Sequence, residues 1–189
     1  MEYPINCSFK AGLQFDRIAE SDGSDLEKAE KLLRLYYPRI PTDLAEAFDK
    51  MLWFYGCGEK RNKEDEGRQR YQRRTSKDPA YSFEQDASYI YAAFKEQYDI
   101  DLTNSDLHWW KFMALFESLN ENTKMSRIMY YRKASTSGMS KDRRAYINEM
   151  KKLYKLQNSS GRIMTLEDRN KQWLDYIEER RKMLNKGKA

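Results

Sequence analysis

Residues Ser105–Leu119 read SDLHWWKFMALFESL, and the fold turns on how this stretch is read. Leu107, Trp109, Trp110, Phe112, Met113, Leu115 and Phe116 fall within ten consecutive positions. At about 100° per residue, helical spacing sends those side chains almost all round the axis. His108, Lys111, Glu117 and Ser118 interrupt them. A helix apolar on most of its circumference must be covered by other elements or by a partner. The stretch therefore predicts the central helix of a small helical domain, capped by Asn104 or Ser105.

The flanking sequence supplies the cover. Upstream, Phe83, Ala87, Ile90, Tyr91, Phe94 and Tyr98 recur on one helical face, predicting a helix over 82–98 with Ser82 as its cap and Gln85 in the box position. The short link over 99–104 predicts an antiparallel hairpin with the central helix. Downstream, Met125, Ile128, Met129 and Tyr130 mark a helix over 123–133. Closer to the N-terminus, three helices are expected. Ser8 caps the first, and Ser24 with Glu27 forms a capping box for the second. Thr42 opens the third, which Gly56-Cys57-Gly58 closes, since either glycine can take the left-handed conformation. Tyr3-Pro4-Ile5 is extended by its proline, as a short edge strand or an arm.

Two segments differ in texture. Residues 59–78, EKRNKEDEGRQRYQRRTSKD, carry 8 basic and 5 acidic residues and one aromatic. Such a composition predicts an exposed linker. Its functional reading is a phosphate-binding strip, with Arg70, Arg73 and Arg74 on a nucleic-acid backbone and Tyr71 on a base. From Lys141 onward there are 14 Lys and Arg against 7 Asp and Glu, while the rest of the chain has 21 against 23. A narrow stripe of Tyr146, Ile147, Met150, Leu153 and Tyr154 predicts one basic helix there, and Leu166, Trp173, Ile177 and Leu184 a last one over 165–184.

Composition excludes several classes of protein. The two cysteines, Cys7 and Cys57, are too few for a disulfide framework and lack metal-ligand spacing, so they suit a reducing compartment. No apolar run approaches the roughly 18 residues of a membrane span, and MEYPINCSFK shows no secretory signal. The single histidine, His108, cannot assemble a metal site, and no serine or cysteine offers it a nucleophile pair. Asp49, Glu84 and Asp86 read as helix-dipole or solubility residues as readily as acids or bases. No catalytic residue, cofactor or metal ligand is expected, and the chain is read as non-enzymatic.

Residues 81–133 resemble a family of small helical proteins of long-tailed phages and their prophages, encoded near the tail-tube and tape-measure genes. The resemblance is carried by Tyr98-Asp99-Ile100-Asp101-Leu102, by Leu107-His108-Trp109-Trp110-Lys111-Phe112, by the N-terminal EYPIN and by Leu52–Gly58, LWFYGCG. It implies a tail assembly chaperone in the bacterial host cytoplasm. Such a protein binds the tape-measure protein, keeps it soluble and recruits tail-tube subunits. Self-association is compatible with it. The alternatives are a basic nucleic-acid-binding or packaging accessory protein, and a structural tail component.

The expected architecture is all-α: an irregular multi-helix bundle with a short N-terminal strand or arm. Its helical core spans 1–140 with the charged linker at 57–79, and a basic helical extension follows over 141–189. Methionine and aromatic surfaces adapt to varied helical partners. The expected partner surface is the exposed side of Trp109, Phe112, Met113 and Phe116, with Trp173 and Ile177 as a second patch.

Overall fold

The computed structural model describes residues 3–58 and 79–157, and among them it has helices and no strand, as the all-α reading requires. The helices are α1 (Phe9–Glu20), α2 (Asp25–Tyr36), α3 (Leu44–Tyr55), α4 (Ala87–Tyr98), α5 (Trp109–Glu117), α6 (Lys124–Lys133) and α7 (Lys141–Leu153). Most begin where a small polar side chain can serve the orphan amides of a first turn. Ser8 accepts from Lys10 N–H, both halves of the Ser24/Glu27 capping box form, and Thr123 and Ser140 cap α6 and α7. The cap of α3 is Asp43, one residue after Thr42, because its carboxylate reaches both Ala45 and Glu46 N–H.

The described residues fall into two units, one of residues 3–58 with 108–110 and one of residues 79–107 with 111–157. In the first, α1, α2 and α3 close on a ring-filled core. Phe15 stacks on Tyr55 at 3.8 Å, and Tyr55 stacks on Trp109 at 5.4 Å. Trp109 Nε1–H donates to Tyr55 O at 2.8 Å, so the indole is buried without an orphan donor. α1 approaches that ring closely enough to require glycine. A Cβ on Gly12 would lie 2.1 Å from Trp109 Cε3. The N-terminal segment is an arm rather than a strand. Asn6 N–H donates to Tyr36 O at 2.7 Å, Trp109 N–H donates to Cys7 O at 2.8 Å, and a single antiparallel bridge joins Ser8 to His108. At the end of α3 the first left-handed residue is Cys57 (φ 58°), followed by Gly58 (φ 81°), while Gly56 keeps a negative φ. Gly58 N–H reaches back to Trp53 O at 2.9 Å and closes the helix.

The second unit holds α4, α6, α7 and the rest of α5. Phe94 stacks on Phe112 at 5.0 Å, and Phe83 meets Phe112 and Phe116 edge-on at 5.8 and 5.6 Å. Ile90, Met125, Ile128 and Ile147 complete this core.

Two sequence expectations are corrected here. The central helix starts at Trp109 and not at Ser105. Asp101 accepts from Thr103 N–H (2.9 Å), Thr103 Oγ1–H (2.6 Å) and Asn104 Nδ2–H (3.1 Å), and this local turn competes with helix in residues 101–104. His108 then takes the capping role, its Nδ1 accepting from Trp110 N–H at 3.2 Å. The hairpin is also not a simple antiparallel one, which would set the end of α4 beside the start of α5. Tyr98 Oη–H donates to Leu115 O at 2.8 Å and Gln97 Nε2–H to Ser118 O at 3.1 Å, so the end of α4 meets the far end of α5. The chain leaves α4 through Asp99, which lies in the left-handed region at φ 51°.

The contacts also draw a boundary other than the one expected at 140. α7 joins α4 and α6 in one unit, because Ile147 is buried and residues 154 and 157 bond back to Arg132 and Gln85. The charged segment 59–78 and the last predicted helix, 165–184, lie outside the described residues.

Candidate partner groove

The second unit opens a groove of about 390 Å³ lined by Ala80, Tyr81, Phe116, Glu117, Leu119, Met129, Tyr130 and Lys133. Its floor is apolar and buried, formed by Ala80 and Phe116. Its walls are partly open, with Tyr81, Leu119 and Met129 half-buried and Tyr130 48% exposed. α6 supplies Met129, Tyr130 and Lys133, and the last turn of α5 supplies Phe116 and Glu117. The spacing of 129 and 133 puts both on one α6 face. An apolar trough with one acid and one base in its lining suits the stripe of an amphipathic helix. Met129 can adapt to the shape inserted.

Behind the groove sits a charged hub. Arg132 forms a bidentate pair with Asp86, Nη1 to Oδ2 at 2.6 Å and Nη2 to Oδ1 at 2.9 Å. Their side chains are 8% and 2% exposed. The guanidinium also donates from Nη1 to Ala80 O at 3.0 Å and from Nε to Tyr154 O at 2.6 Å. Asp86 additionally accepts Ser82 N–H at 3.0 Å. Charge buried this deeply is tolerated because both partners are neutralised and hydrogen-bonded. The hub holds Ala80, and with it part of the groove floor. Asp86 is therefore an internal structural carboxylate and not a solubility residue.

A family model described as Bacteriophage Gp15 protein matches residues 1–156. The chain belongs to the bacteriophage Gp15 family. The match spans every helix from α1 to α7. Comparison with curated proteins and with solved structures finds no match.

The Gp15 chain places the sequence-predicted residues unevenly. Trp109 and Phe112 are 0% exposed, Phe116 2% and Met113 7%, so the open side expected of them is absent. The rings of Trp109, Phe112 and Phe116 meet other rings of their own unit, and that packing consumes their apolar surface. Of the four, Phe116 alone lines the groove. Trp173 and Ile177 lie outside the described residues, as do Arg70, Tyr71, Arg73 and Arg74.

Elsewhere on the Gp15 chain, Trp110 is half-buried, with its Nε1–H on Phe54 O at 2.7 Å and its ring against Trp53, which is exposed. Among the described residues no group of three or more His, Cys, Asp or Glu could hold a metal ion. No described helix is long and apolar enough to cross a membrane.

The groove residues Leu119, Met129 and Tyr130 did not emerge from the sequence as a site. The available signal was Met129 and Tyr130 beside the buried stripe of Met125, Ile128 and Arg132.

Proposed function

We propose that this Gp15 chain is a non-enzymatic tail assembly chaperone that holds a helical segment of the tape-measure protein in the groove between α5 and α6. The observation that carries the reading is the partly open trough of Tyr81, Leu119, Met129 and Tyr130 on a chain that is 34% charged. A long helical partner presents apolar stripes that need cover until assembly, and such a trough covers one stripe at a time. The charged surface keeps the complex dissolved. Phage family membership and the resemblance carried by Tyr98–Leu102 and Leu107–Phe112 support the assignment. In this reading the protein acts in the bacterial host cytoplasm, passes the tape measure to tail-tube subunits and is absent from finished virions.

The test is co-expression with the tape-measure protein of the same phage, followed by affinity capture. Met129→Glu and Leu119→Glu, each placing a charge in the trough, should lose the tape measure while remaining folded by circular dichroism. Capture undiminished in both folded variants would refute the groove. Recovery of the protein from purified virions at tail-component stoichiometry would refute the chaperone role.

A further inference from the structure

The groove leaves a second surface of the same unit unused. Four tyrosines stand there in a row: Tyr89 of α4, Tyr154 after α7, Tyr131 of α6 and Tyr146 of α7. Successive ring centroids are 6.5, 6.2 and 6.0 Å apart. None of them lines the groove. Tyr146, at one end, is 49% exposed, and its hydroxyl lies 3.2 Å from that of Tyr131. At the other end Lys124 Nζ lies 5.8 Å from the centroids of both Tyr89 and Tyr154.

The margin of this row is basic. Residues 124–155 contain ten Lys and Arg against two acids, Asp142 and Glu149. Of the ten, Arg132 is buried in its pair with Asp86 and Lys133 belongs to the groove, which leaves eight for this margin. Lys124, Arg127 and Tyr131 share one face of α6 by helical spacing, and Arg143 and Tyr146 share one face of α7. Arg127 is near enough for its charge to act on the Tyr146 hydroxyl.

Exposed cations with few acids among them attract an anionic partner. An acidic peptide would use the cations and leave the rings idle. A duplex hides its bases from flat rings. A single strand uses both, its phosphates on the cations and its bases on the π-faces. We propose that the tyrosine row and its basic margin bind single-stranded nucleic acid, with phosphates on Lys124, Arg127 and Arg143 and a base stacked on Tyr146. The surface is separate from the groove, and the proposal stands whether or not the groove holds the tape measure.

The experiment titrates the full chain into a labelled oligo-dT of about 20 nucleotides and follows anisotropy at several salt concentrations. Binding should weaken with salt. The Lys124→Gln/Arg143→Gln pair should lower the slope of log K against log salt by about 1.4, at roughly 0.7 per phosphate contact. Tyr146→Ala should weaken binding about tenfold, and Tyr146→Phe should leave it unchanged, because the ring and not the hydroxyl does the stacking. No binding, or binding unaffected by the Lys124/Arg143 and Tyr146→Ala variants, would overturn the proposal. So would loss of all binding on neutralising Arg70, Arg73 and Arg74 alone, or competition by polyglutamate equal to that by unlabelled oligo-dT.

Discussion

Replacing Arg132 with methionine should be among the most damaging single changes in the second unit. Methionine keeps most of the aliphatic length and removes the guanidinium. Asp86, with its side chain 2% exposed, is then left as a buried carboxylate whose remaining direct donor is Ser82 N–H. Breaking a buried pair by removing one partner costs about 3–5 kcal/mol. Ala80 O and Tyr154 O lose the Arg132 donor as well, and leaving a buried acceptor unmet costs roughly 1–3 kcal/mol. These terms overlap, since the site relaxes and admits water, so a loss of about 4 kcal/mol is expected for the single variant. Chemical denaturation followed by far-ultraviolet circular dichroism measures it. Asp86→Leu should cost a similar amount, for it strands the guanidinium. The double variant Asp86→Leu/Arg132→Met should cost far less than the two losses added, because no charge remains buried. Losses below about 1 kcal/mol in both single variants, or strict additivity in the double variant, would refute the hub as a coupled unit.

Two further outcomes follow from the geometry. Gly12→Ala drives a Cβ to 2.1 Å from the Trp109 ring, so overpacking of about 3 kcal/mol should outweigh the roughly 1 kcal/mol gained in helix propensity, and the melting temperature should fall. An unchanged or raised melting temperature would refute that contact. Asp101 is held below the usual carboxylate range, first by the hydrogen bond from the Thr103 side chain and then by that from the Thr103 backbone. A carboxyl lowered in the folded state contributes stability above its unfolded pKa and loses it as pH falls through the folded value. Asp101→Asn should therefore flatten the acid limb of a stability–pH profile, and an acid limb identical to that of the parent chain would contradict the assignment.

Local chemistry made most of the helices legible. Ser8 and Ser24 are caps in both the sequence and the structure, since an N-cap acts over two or three residues and needs no tertiary context. The start of α5 was not legible from periodicity, because the apolar pattern begins at Leu107 whereas Asp101 holds the preceding backbone in a turn. The sense of α5 relative to α4 depends on how far the connection over 99–108 travels, which a link of this kind does not encode in its hydrophobicity. The burial of Trp109 and Phe112 was hidden for a related reason. Trp109 and Phe112 are what a binding hot spot and a core have in common, and only the count of rings already packed against them separates the two. Arg132 offered a missed clue. It falls on the stripe of Met125 and Ile128, where a charge requires an internal counter-ion.

The hub has a consequence for how the polypeptide is made. One guanidinium holds carbonyls at positions 80 and 154 and a carboxylate at 86, so residues far apart along the chain complete a single neutralised cluster. On a translating ribosome Asp86 emerges long before Arg132, and Tyr154 later still. The segment containing α4, α5 and α6 therefore lacks its last internal ligand until α7 has left the exit tunnel, and nascent chains stalled before that point should be open to protease at the site where the finished protein resists it.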